Sequence, residues 1–77
     1  MSETEKYRLF FAAAKSGDLS LQQRAARKIG IVDENGMPTS TYESFIKGTV
    51  NWAVSDRAWV QQMDTAAEGR DYALERL

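Results

Sequence analysis

Apolar side chains recur along most of this chain every three or four residues, the period of an amphipathic helix. Tyr7, Phe10, Phe11 and Ala14 stand at i, i+3, i+4 and i+7, which predicts a helix over residues 4–16 with its rings on one stripe, stopped by Gly17. Ser20-Leu21-Gln22-Gln23 has the S-x-x-Q form of a capping box, in which hydroxyl and amide satisfy orphaned backbone N–H groups. It predicts a second helix over 20–29, with Leu21, Ala25 and Ile29 inward and Gly30 just past its end. Another such box, Ser40-Thr41-Tyr42-Glu43, opens a helix over 40–54. Its inner line is Tyr42, Phe45, Ile46, Val50 and Ala53, which leaves Trp52 near the edge of the stripe. Gly48 weakens it by up to about 1 kcal/mol relative to alanine, which points to a close contact or a bend. Ser55-Asp56 then starts a last helix over 56–75, with Trp59, Met63 and Arg70 along one line and Gly69 ending its firm part. Serine and aspartate cap helices without forbidding continuation, so one long helix over 40–77 is the alternative.

Between the second and third helices, residues 30–39 read as a loop, with Asp33-Glu34-Asn35-Gly36 at its centre and the only proline, Pro38, near its end. Asn35-Gly36 suits a hairpin turn, but Pro38 leaves room for no more than a two-residue bridge. The expected fold is therefore all-α: one domain over 1–77, a compact bundle of three or four short helices. No run of apolar residues approaches the roughly 20 needed to cross a bilayer. The acidic start Met-Ser-Glu-Thr-Glu leads into no signal-peptide core, so a cytoplasmic setting without membrane contact is expected.

Composition narrows the chemistry. The 77 residues include no Cys and no His, so thiolate nucleophiles, disulfides, Cys-ligated zinc and the usual proton shuttle are ruled out. With 43% apolar and 27% charged residues at a net charge of −1, the chain is too apolar and too balanced to be disordered. The charge is split, however. Residues 1–30 carry six basic side chains against three acidic ones, and residues 31–77 carry four against eight. Such a division reflects two faces for different partners, or halves that attract each other on folding. The carboxylate pairs Asp64/Glu68 and Asp71/Glu75 fall at i, i+4 and read as a solvated helix face rather than an acid/base couple. Setting Gly36 at the sixth position of a calcium loop would put Ile31 and Tyr42 where carboxylates are required, so no metal site is read there. No enzyme, cofactor or small-molecule substrate is expected.

Gln22-Gln23-Arg24-Ala25-Ala26-Arg27-Lys28-Ile29-Gly30-Ile31, followed by Thr39-Ser40-Thr41-Tyr42-Glu43-Ser44-Phe45-Ile46-Lys47-Gly48, resembles the two helices of helix-turn-helix proteins over residues 22–48. About six extra residues around Asp33–Pro38 separate the halves. The resemblance implies a DNA-binding transcriptional regulator with Arg24, Arg27, Lys28, Ser40 and Lys47 toward the nucleic acid. A sequence pI near 5.3 argues against an independent basic footprint. Eight aromatic rings exceed what so small a core requires. Trp52, Trp59, Gln62 and Met63 are the candidate protein-docking patch, since amphipathic rings near a surface are favoured anchors. Alternatively, Trp52 and Trp59 pack on each other. The leading expectation is a small non-catalytic regulator that binds a larger protein or complex stoichiometrically, as an inhibitor or adaptor. That profile is shared by phage and mobile-element accessory proteins that block host machinery. The DNA-binding regulator is the alternative, and a homodimer with the last helix as its seam is a third possibility.

Overall fold

The computed structural model describes all 77 residues. Five helices follow in order: α1 Glu3–Ser16, α2 Leu19–Ile29, α3 Tyr42–Ser55, α4 Arg57–Gln62 and α5 Ala66–Arg76. The fold is all-α. Its only extended pairing is a single antiparallel bridge, Val32 to Pro38, closing the Asp33–Met37 turn.

α1 is the centre of the molecule, with α2, α3 and α5 each packed against it. Three covered sides explain why its fully buried residues are Leu9, Ala12 and Ala13, whereas the expected stripe contributes buried Tyr7, half-buried Phe10 and Phe11, and exposed Ala14. Small residues are needed because α5 approaches closely. A Cβ on Gly69 would stand 2.5 Å from the Ala12 carbonyl oxygen. Gly69 is thus a buried crossing point inside α5, not the end of its ordered part, and helix continues to Arg76.

Caps decide the other boundaries. Ser2 Oγ accepts the Glu5 N–H and Thr65 Oγ1 accepts the Glu68 N–H, each hydroxyl donating in turn to the same glutamate's carboxylate, so the working caps are Ser2 and Thr65. α2 is capped by Asp18, whose carboxylate accepts the Leu21 N–H, two residues before Ser20. α3 starts at Tyr42 with no side-chain cap, because the hydroxyls of Thr39 and Thr41 donate instead to the Gly30 carbonyl and fasten the loop to the end of α2. The expected helix over 56–75 is two helices. The chain leaves helical geometry at Met63, which plugs the joint at 9% exposure, and restarts under the Thr65 cap.

α3 is rotated from its expected orientation. Phe45 and Trp52 are its buried residues, while Tyr42 and Val50 are exposed. Seven residues make nearly two turns, so Trp52 falls about 20° from Phe45 and Val50 about 140° away. The pair of large rings sets the inward face. Gly48 lies between them in sequence, where a Cβ would strike the Tyr7 hydroxyl. No helix is long and apolar enough to cross a membrane.

Candidate interaction surface

Seven of the eight rings join in one stack. Tyr7 lies on Phe45 at 4.3 Å and on Trp52 at 5.6 Å between centroids, and Phe10 meets Phe45 edge-on at 5.4 Å. Phe11 touches both indoles, the indoles pack on each other at 6.0 Å, and Trp59 reaches Tyr72 at 5.2 Å. This stack corrects the expected docking patch. Trp52 and Met63 are buried at 7% and 9% exposure, and Trp59 is half-buried between its neighbours. Of the four expected residues only Gln62 is exposed, at the end of α4. The surplus rings fill the interior because few large aliphatic side chains are fully buried, chiefly Leu9 of α1 and Ile31 of the loop after α2.

One polar pair closes this stack. The Arg8 guanidinium donates two hydrogen bonds to Asp56, Nε to Oδ2 at 2.6 Å and Nη2 to Oδ1 at 2.9 Å, and lies over the Trp59 ring at 5.3 Å. Asp56 stands between α3 and α4, so the pair ties that joint to α1. The Arg8 hydrogen bonds hold the Asp56 carboxyl below its ordinary range, against the opposing effect of burial. The buried Trp52 indole N–H has no hydrogen-bond partner within bonding distance. The same pairing raises Arg8. Burial, with a contribution from Glu3, raises the Tyr7 hydroxyl above its ordinary value.

The exposed apolar surface lies elsewhere. Two shallow hollows flank Phe10, which lines both. One, about 270 Å³, lies between α1 and α3 and is lined by Phe11, Ala14, Val50 and Ala53 among others. The second, about 260 Å³, lies between α2 and the loop leading to α3. Leu19, Gln22, Gln23, Ala26 and Arg27 form its α2 wall, and Ile31, Val32, Gly36 and Tyr42 line the other side. Leu19 is 66% exposed, Val50 70%, and Val54, one turn beyond Val50, 73%. Tyr42 is the one ring outside the stack, and it too is exposed. Its expected inward placement had hidden it.

The residues expected to face nucleic acid are distributed as follows. Arg24, Arg27 and Lys28 are exposed on α2, and none takes part in an ion pair. Lys47 is exposed on α3 and paired with Glu43 at 3.1 Å, which offsets its charge. Ser40 is exposed in the turn before α3. α2 and α3 each pack on α1 and not on each other, so the two segments that resemble a helix-turn-helix lack that motif's mutual packing. The long connection between them is the physical reason: Thr39 and Thr41 anchor it to Gly30, and buried Ile31 fills the space a tight turn would close. No family model, curated protein or solved structure matches this chain.

Proposed function

We propose that this chain is a non-catalytic regulator that binds a larger protein stoichiometrically, as an inhibitor or adaptor. The observation that carries it is the apolar band around Phe10, where Leu19, Tyr42, Val50 and Val54 stay in solvent although the chain is folded. Contiguous apolar hollows on a small folded surface are the usual mark of a protein contact. Their α1, α2 and α3 walls are helical and the loop wall is fastened to the end of α2 by the Thr39 and Thr41 hydroxyls, so the surface is preformed and little ordering opposes binding. A chain without His or Cys acts more readily through such contact than through chemistry.

Tagged protein recovered from the cells that make it tests this directly. The parent is expected to retain one partner through size exclusion in fixed ratio, and Leu19→Asp combined with Val50→Asp to lose it while keeping its helical circular dichroism. Equal recovery of the same partner by the folded double variant would retire the band as the contact.

One observation favours the DNA-binding alternative: three unpaired cations on α2 beside Gln22 and Gln23. Phosphate contacts dominate such binding and weaken steeply with salt, so even non-specific association should appear at about 50 mM salt and micromolar protein. A gel shift under those conditions that disappears in the Arg24→Glu, Arg27→Glu variant supports it, and no shift disposes of it.

A further inference from the structure

We infer that Asn35 is a latent modification site, a place of spontaneous deamidation that the Asp33–Met37 turn holds shut. It is independent of any partner. Asn35 is exposed, and at Gly36, the residue after it, a Cβ would meet nothing within 4 Å. In such a pair the Gly36 nitrogen, having given its proton to a solvent base, attacks the Asn35 side-chain carbonyl carbon. The bond to the side-chain nitrogen breaks, and ammonia leaves with a proton from solvent as a five-membered imide closes. Water then opens that ring at either carbonyl, leaving aspartate or an isoaspartate whose backbone runs through the side chain. The sum is one water consumed and one ammonia released.

The turn opposes the first step in two ways. The Gly36 N–H donates to the Asp33 carbonyl at 3.0 Å, and the Asp33 N–H to the Met37 carbonyl at 2.8 Å. An i to i+3 bond with no positive φ at Asn35 is a type I turn, and Gly36 at φ 79° completes a bulged three-residue hairpin loop. Asn35 therefore has ψ near roughly 0°, and bringing the Gly36 nitrogen over its side-chain carbon takes a rotation of about 120°, which breaks the Gly36 bond. The bonded N–H is also the weaker acid, because its hydrogen bond favours the neutral form and the Asp33 carboxylate sets a negative field where an amide anion would develop. Asp33 fastens the loop, its Oδ1 accepting the Asn35 and Met37 N–H groups, each at 2.9 Å. Reaction is thus confined to moments when the turn opens, and the product records the opening. Isoaspartate lengthens the backbone of a loop closed by the Val32–Pro38 pairing, which then no longer fits. Gly36 lines the hollow beside α2, so the same event adds a carboxylate next to that wall.

The test ages the purified full chain at mildly alkaline pH and follows aspartate plus isoaspartate at position 35 by peptide mapping, with Asn51, inside α3, as the internal reference. The folded parent is expected to convert at least about tenfold more slowly than the same chain in guanidinium chloride, because opening gives up the Gly36 bond and both carboxylate bonds. Asp33→Ala, with its helical circular dichroism retained, should convert at least about tenfold faster than the folded parent, and Asp33→Asn, which keeps an acceptor oxygen, within about threefold of it. Amide hydrogen exchange at Gly36 reads the turn without the chemistry: slowed in the parent and in Asp33→Asn, fast in Asp33→Ala. Should Asp33→Ala lose its helices, the folded and unfolded parent decide between them. Equal conversion of the parent in both states overturns the inference, as does full protection in a folded Asp33→Ala. No conversion even in denaturant overturns it too, since the pair would then be inert without the turn.

Discussion

A methyl group at position 48 would collide with the Tyr7 hydroxyl and stand 3.1 Å from the ring carbon that bears it. The ring cannot yield, since Phe45 and Trp52 stack against it. Alanine would add about 1 kcal/mol of helix propensity, but overpacking a filled site costs about 1–3 kcal/mol. Gly48→Ala is therefore expected to lower stability by about 1 kcal/mol in urea unfolding. In a Tyr7→Phe background the same change should cost clearly less, because the colliding oxygen is gone and only the tight contact with the ring carbon remains. An equal cost in both backgrounds would show that the hydroxyl is not what position 48 accommodates. Gly69→Ala has no such rescue: its neighbour is the Ala12 backbone carbonyl, which no side-chain change removes. We expect about 2 kcal/mol of destabilisation there, read from the same unfolding curves. A glycine's cost to its own helix is visible in sequence, which is why Gly48 stood out as a close contact or bend. What a glycine makes room for sits on another element, so Gly69 read as a helix end.

At the scale of elements, the Arg8–Asp56 pair does the work that an N-cap at Asp56 was expected to do. The carboxylate that would have capped α4 is taken by the guanidinium of α1, and α4 begins without a side-chain cap. Asp56 is held below its unfolded value, near 3.8, so the pair's stabilisation is present in full above that pH. It is lost as pH falls through the lower folded value. Arg8 keeps part of its side chain in solvent, so screening limits the pair to about 1 kcal/mol. Asp56→Asn should cost that much at neutral pH and flatten the loss of stability below about pH 4, as followed by circular dichroism during acid titration. An unchanged acid limb would place the acid-sensitive group elsewhere. The elements themselves were largely legible. α1, α2 and the 30–39 loop follow from periodicity and glycine stops. The Thr65-x-x-Glu68 pattern was also present in the sequence, but the helical line through Trp59, Met63 and Arg70 runs across it, and periodicity masked the break. The rotation of α3 was less accessible, since Val50 and Trp52 compete for the inward face. Only the rings waiting on α1 decide for tryptophan.

The whole molecule exposes 4935 Å², close to the roughly 4700 Å² expected of a compact monomer of 8.7 kDa. Its Cα radius of gyration, 11.7 Å, matches the roughly 11.5 Å of a globule of this length. The chain is thus as compact as a globule of its length, with the apolar band on its outside. This also explains why the candidate surface was poorly legible. Sequence indicates which residues are apolar, but only the packing of α1 on three sides settles which apolar faces are left over. The rings it covers include the tryptophans, and the faces it leaves carry aliphatic residues and one tyrosine. Position by position, stability does not ask for that remainder. Val50 and Val54 are more than two-thirds exposed on α3, where β-branched side chains lower helix propensity and solvent favours polar ones. Replacing both with alanine is expected to leave the stability read from urea unfolding unchanged or slightly raised, by up to about 1 kcal/mol for the pair. Leu9→Ala, at a fully buried site, should by contrast cost about 2–5 kcal/mol. If the valine pair proves as costly as Leu9, the band belongs to the fold and its exposure carries no message. If the alanine pair is the more stable protein yet recovers less partner, then the valines are there for what they touch outside the chain.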